Sequence, residues 1–423
     1  MNPPRLSPGM LARYEIEDRR PPRINAVQFG LSPALLGAVD RRIDDAAAIG
    51  IACVAGGDLA RRLREQEGLY TLVIRGYAGD EAVRREQVVQ CLREIVPPED
   101  VEALAQNPDI ALAIVDADDD ARALAGRFAR ARAEAGLPEV PALALGDNLL
   151  SDSLAFRAEA DEAARLCREM NYLDEMLHLA EPAARLTVRA EGAPLGSAPG
   201  IEYVDAAGMA LARALKGRVF DAGLALMAAT GWLNGCDTLR DCMRHPRLRK
   251  FVGEAFTEEL LPMLDDLPRA AVEARVIESF GRYEDPLNRN RLLAAAPDPL
   301  QWFIAEGVPL MRRWADENFE PPRRLAFALA ATIMLLAGAR LNAETGRYEV
   351  ARGSHTEALD ADPDRLAVFS ALSHDMPPDT LAYAVLADRE LWQGADLRDI
   401  DGLEARVTLD LAAMQREPGF LPE

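Results

Sequence analysis

Short apolar runs alternate with amphipathic stretches through the first half of the chain, and helical spacing takes over in the second. Residues 24–29 (INAVQF), 49–55 (IGIACVA), 110–115 (IALAIV) and 140–145 (VPALAL) are short and nearly continuous in apolar side chains. Runs of that length suit strands buried on both faces, as in a parallel sheet. Gly30, Gly56-Gly57, Asp116 and Gly146 punctuate their ends. Helical stretches follow from Ser32-Pro33, Leu59 and Ala121. This alternation predicts an open α/β layer. Residues 65–76 (EQEGLYTLVIRG) differ, because Tyr70, Leu72 and Ile74 alternate as in an antiparallel strand with one buried face. Beyond Cys242 apolar positions recur at helical spacing almost throughout, including 251–264, 271–283, 324–341, 363–372 and 378–386.

These patterns divide the chain into an arm over residues 1–22, expected to be flexible, an α/β domain over 23–206 and a mostly helical domain over 207–423. The Gly/Pro-rich stretch 191–200 reads as the link before the second domain. A length of 423 residues suits two or three domains. The apolar run 325–339 is too short to span a bilayer and reads as a buried helix. No apolar signal core is found near the first residues, so a cytoplasmic protein is expected.

Charge narrows the partners. The chain carries 48 basic and 69 acidic residues, a net charge of -21. Such a field repels nucleic acid and anionic membrane. The five cysteines show no CxxC spacing and read as reduced thiols. The four histidines form no metal-ligand motif, and no metal site is expected from them.

Three local features carry candidate chemistry. The first is the strand-turn-helix at Gly30 and Ser32, the opening of a dinucleotide-binding unit in which helix N–H groups hold the pyrophosphate. Ser32 at the N-cap and Pro33 at N1 also make a good helix start with no ligand. The second is Asp58 after the second strand, placed to hold a ribose hydroxyl or simply to cap its helix. The third is the acidic loop 116–120 (DADDD). Its plainer reading is a solvated loop; the alternative is a cluster of hard oxygen ligands for a divalent cation.

Several stretches, in order, resemble the long-chain mannitol dehydrogenase family, which includes tagaturonate (altronate) and mannonate oxidoreductases. They are QFG at 28–30, EGLYTLVIRG at 67–76, DNL at 147–149, LKGRVFDAGL at 215–224 and WQGADL at 392–397. The resemblance implies a Rossmann-type N-terminal domain, a mostly helical C-terminal domain and a substrate cleft between them. It also implies Lys216 as general base and Asn148 as the group that stabilises the developing alkoxide. Asp120 keeps the acid that the family places by the nicotinamide ribose.

Other positions depart from the family pattern. Ser32 replaces a glycine and Leu36 an arginine; Asp116 to Asp119 replace neutral residues. Asp221 and Leu224 replace an asparagine and a histidine, and Trp302 and Glu306 stand where cationic groups would bind an acidic sugar. Asp221 opposes the role of Lys216 as a base by placing a charged carboxylate one turn away, unless it serves as a base itself. Two readings follow. One is an NAD- or NADP-dependent oxidoreductase of a polyol, ketose or related hydroxy compound, a monomer or weak homodimer. The other is an inactive paralogue with a degenerate active site, retained to bind a ligand or a protein partner.

Overall fold

The computed structural model describes residues 3–46, 48–78, 81–182, 185–189, 200–287, 291–296, 298–359 and 361–422. The expected link at 191–200 lies outside them except for Gly200. The chain forms two compact units, Met1–Ala212 and Arg213–Glu423.

The first unit is built on β1 (Ala26–Phe29), β2 (Ile51–Val54), β3 (Tyr70–Ala78), β4 (Glu81–Val89), β5 (Leu92–Val96), β6 (Leu112–Val115) and β7 (Ala142–Ala144). Its main sheet has the order β5-β2-β1-β6-β7, with every pair parallel. Alternate residues of its strands feed two cores. Ala26, Ile51, Cys53, Leu112 and Ile114 enter one, and Val27, Phe29, Ala52, Val54, Ala113 and Val115 the other. Burial on both faces explains why these segments read as continuous apolar runs. The order reverses between β1 and β6, which makes that gap the switch point where α/β sheets bind ligands.

β3 joins a second sheet and pairs with β4 antiparallel over its whole length, as the alternation at Tyr70, Leu72 and Ile74 predicts. A third sheet holds β8 (Leu149–Ser151), β11 (Leu186–Arg189) and β12 (Ile201–Val204), while β9 (Ala155–Arg157) and β10 (His178–Ala180) extend the second. The N-terminal arm is packed rather than loose. Leu6 and Leu11 are buried against Leu69, Val73 and Leu166, and the Leu6 N–H donates to the Leu173 carbonyl at 2.8 Å. Burial of two leucines supplies the ordering that its proline and arginine content does not suggest.

The second unit is helical apart from a three-stranded sheet of β13 (Arg340–Leu341), β14 (Tyr348–Arg352) and β15 (His355–Ala358). The helix Ala222–Leu233 is buried from Ala222 to Trp232 and packs on the helix Arg323–Ala337, which is buried from Leu325 onward. Small residues permit the approach. A side chain at Gly231 would meet the Cys242 Sγ at 2.3 Å, and one at Gly223 the Tyr283 hydroxyl at 2.4 Å. After the Gly235 turn (φ 83°), Thr238 and Asp241 form a capping box that restarts the helix Leu239–Arg244. Among the described residues no helix is long and apolar enough to cross a membrane.

Candidate functional site

Chemistry concentrates at two places, one in each unit. In the second unit it centres on Lys216. The residues Lys216–Asp221 form a π-helical turn between the helical segments Ala206–Leu215 and Ala222–Leu233. Lys216 thus lies within a helical run. A π-turn closes hydrogen bonds between residues five apart, so it stacks such residues above one another. The Lys216 Nζ accordingly reaches both oxygens of Asp221, at 2.9 and 2.7 Å. Both side chains are partly exposed, about three-tenths each (27% and 31%), so the pair can address a ligand from solvent.

Side chains from two other helices satisfy carbonyls of this turn. The Trp302 indole donates to the Gly217 carbonyl at 2.8 Å, and the buried Tyr283 hydroxyl to the Phe220 carbonyl at 2.5 Å. Such external donors stabilise a turn whose carbonyls are drawn out of the regular helical ladder. Tyr283 stacks on Phe220 with centroids 5.5 Å apart, and the Arg282 guanidinium lies 3.8 Å from the Phe220 ring centre. Arg218 joins the turn to two acids, Asp266 at 2.7 Å and Glu306 at 3.4 Å. Burial pushes the Glu306 carboxyl above its ordinary range, and Arg218 opposes that shift. The sequence pattern had marked Trp302 and Glu306, and both meet the lysine turn. It did not mark Tyr283, Phe220 or Asp266, whose positions have no motif spacing.

Gly223 tests this support. Gly223→Ala forces the added carbon against the Tyr283 hydroxyl. The ring must shift, with an expected loss of about 1–3 kcal/mol. A denaturant midpoint unchanged from the parent's would show that the ring yields without cost.

In the first unit the turn after β1 carries Gly30 (φ 103°) and Ser32, followed by a helix over 33–46. Its partner is the first residue past β6. The Ser32 N–H donates to Asp116 Oδ2 at 2.9 Å, and the Ser32 hydroxyl to Oδ1 at 2.8 Å. The Ala117 N–H also donates to Oδ1, at 2.9 Å. Ser32 caps the helix through the Leu35 N–H at 3.3 Å. Burial raises the Asp116 carboxyl, while the bonds from Ser32 and Ala117 pull it back.

The acidic loop is therefore not uniformly solvated, as its plainer reading had it. Asp116 is buried at 3% exposure, drawn inward by the parallel pairing of β6 with β1. Asp118 caps the helix Asp119–Glu134 through the Ala121 N–H at 2.7 Å. Asp119 and Asp120 lie exposed in its first turn, where acids suit the helix dipole. Among the described residues no group of three or more His, Cys, Asp or Glu could hold a metal ion.

The remaining candidates are placed as follows. Asp58 lies in the first turn of the helix Gly57–Glu65, bonded to Arg61 at 2.5 Å and Arg62 at 2.6 Å. Gly56, not Asp58, is the cap. Asn148 ties its own turn: its Oδ1 accepts from the Ala144 N–H and its Nδ2 donates to the Ala142 carbonyl, both at 2.7 Å. The cysteines are all free and buried.

The backbone of the Gly30 turn, at the switch point of the sheet, fits a dinucleotide diphosphate. The side chains fit it less simply, because the Asp116 carboxylate oxygens stand where phosphate oxygens would be held.

Residues 213–415 match the mannitol dehydrogenase C-terminal domain family. The altronate oxidoreductase of Enterobacter sp. (strain 638) is 32% identical over 182 residues, 43% of this chain and 35% of the relative. That of Shigella flexneri is 28% identical over 277 residues, 63% of this chain and 54% of the relative. The chain thus spans from about a third to about half the length of these relatives. A solved Pseudomonas fluorescens mannitol 2-dehydrogenase, in ternary complex with NAD and D-mannitol, shares the fold with a TM-score of 0.77. It is 14% identical and covers 98% of each chain. A D-sorbitol dehydrogenase in substrate-free form follows at a TM-score of 0.63 and 15% identity, covering 98% of this chain and 99% of its own.

Proposed function

We propose that this chain, whose residues 213–415 match the mannitol dehydrogenase C-terminal domain family, is a member of the mannitol dehydrogenase family and an NAD- or NADP-dependent oxidoreductase interconverting a polyol and its ketose. The observation that carries this reading is the Lys216–Asp221 pair on its π-turn, partly open to solvent and braced by Trp302 and Tyr283.

When bound, the nicotinamide cofactor supplies or accepts the hydride; the first-unit turn at Gly30 and Ser32 would hold its diphosphate. The proton is the business of Lys216. Its ammonium, held in place by two bonds to Asp221, donates to a carbonyl oxygen as that oxygen becomes an alkoxide. In the reverse direction Asp221 accepts the ammonium proton, and the freed amine takes the hydroxyl proton.

The surroundings favour a neutral substrate. Arg218 is held by Asp266 and Glu306, and Glu306 stands beside Gly217. An acidic sugar would meet those carboxylates, which repel it. We place the protein in the cytoplasm on its five unpaired, buried thiols.

The test is reduced-cofactor consumption by the purified chain with neutral ketoses and with uronates, using NADH and NADPH in turn. Turnover of a neutral ketose, with uronates slower, is the expected result. No turnover with any hydroxy or carbonyl sugar would move the protein to the ligand- or partner-binding reading.

A further inference from the structure

The gap between β1 and β6 is where the main sheet opens to a ligand, and one side chain already stands in it. Asp116 follows β6 directly, and its own N–H donates to the Phe29 carbonyl at the end of β1. Its carboxylate then turns onto the β1 turn, with Oδ2 on the Ser32 N–H and Oδ1 on the Ser32 hydroxyl and the Ala117 N–H. Contact with the glycine is equally close. A Cβ built at Gly30 would lie 2.5 Å from the Asp116 Cβ and 2.6 Å from its Oδ2. The room that a glycine leaves for a phosphate is filled by this carboxylate.

A helix N-terminus behind such a turn attracts an anion through free N–H groups and the positive end of its dipole. Here that demand is met from within the chain. A diphosphate cannot share the position, because two anions in contact repel strongly away from bulk water. A nearby group deepens the conflict: Asp118 on the same loop adds negative charge.

We infer that Asp116 is an internal competitor for the diphosphate position and the residue that sets dinucleotide affinity in this chain. The cofactor binds only when the carboxylate swings off Ser32. This rests on the dinucleotide-dependent reading above and adds to it the side chain that opposes binding. Apparent affinity is lowered by the fraction of molecules in the open state. If that state is a minor one of the usual size, 10% or fewer of the molecules, removing the carboxylate tightens binding by about 10-fold or more.

The experiment is calorimetric titration of the full chain with NAD and NADP, comparing the parent with Asp116→Asn and Asp116→Ser. Asp118→Asn serves as control, since it removes the same charge from an exposed cap two residues away. Thermal melts report folding, and the serine variant stands in should the asparagine variant not fold. The expected result is about 10-fold or more tighter binding in the Asp116 variants and less than about 2-fold change in Asp118→Asn.

Equal affinity in parent and Asp116 variants overturns the inference and leaves the dinucleotide reading intact. Equal tightening by Asp118→Asn overturns it too, since bulk charge would then be the cause. Absence of binding in every form overturns both. Tightening without turnover of any sugar upholds the role of Asp116 while removing the polyol-ketose reading.

Discussion

Lys216→Ala is expected to lower turnover with a neutral ketose by about 10²–10⁴-fold, the range for removing a positioned proton donor. The effect should fall on kcat more than on KM, because the proton moves in the transition state and not on binding. Lys216→Arg separates charge from acidity. A guanidinium keeps the positive charge and can still pair with Asp221, yet it does not give up its proton. Arginine should therefore restore little of the lost rate. Asp221→Asn keeps the shape of the pair and removes the acceptor for the ammonium proton. Its loss should appear in both alcohol oxidation and ketose reduction, because the same proton transfer is run in opposite senses in the two directions. Steady-state kinetics in both directions check this, and a Lys216→Ala enzyme within about threefold of the parent would remove the proposed role.

The second large effect concerns stability against pH and centres on Asp40. This carboxyl is wholly buried beneath the Gly30 turn. Its Oδ2 lies 3.4 Å from the Gln28 amide and 3.3 Å from the Tyr70 hydroxyl. Tyr70 has one proton and a shorter partner, the Leu36 carbonyl at 2.7 Å. A neutral Asp40 can thus donate to the phenol oxygen, whereas a charged one has little to accept. Burial pushes its pKa up to about 8 from 3.8.

The sign follows from proton binding. Between those two values the folded chain holds a proton that the unfolded chain has released, so stability falls as pH rises. The contribution is complete below about pH 4 and is lost as pH climbs to about 8. The slope is about 1.4 kcal/mol per pH unit, several kcal/mol in all. Asp40→Asn should remove that slope. Denaturant unfolding of parent and variant at pH 5 and pH 8 gives the difference, from which other titrating groups cancel. A difference that does not change with pH would mean that Asp40 does not hold a proton in this range.

The strand-helix alternation of the first half was legible because it is local. Continuous apolar runs such as IGIACVA and IALAIV suit strands covered on both faces, and β2 and β6 are such strands. Ser32-Pro33 was readable as a helix start for the same reason, since a cap and its helix are neighbours in sequence. Lys216 could be picked out by the segment around it, and Trp302 and Glu306 by their departure from a charge pattern.

Tertiary structure decided what those residues touch. At regular helical spacing residues five apart do not face each other; Lys216 and Asp221 meet because a π-turn replaces the α-helix there, braced by donors from helices 60 or more residues away. The acidity of the 116–120 loop was plain from composition, but its division into one buried carboxylate, one cap and two exposed acids was not. That division comes from the register of Val115 beside Phe29, which carries Asp116 to Ser32 across 84 positions of sequence. Sequence by itself determined which segments bury their side chains, because burial follows local apolar periodicity. Only the packed structure decided which charges meet, because that depends on strand register and helix contacts made far along the chain.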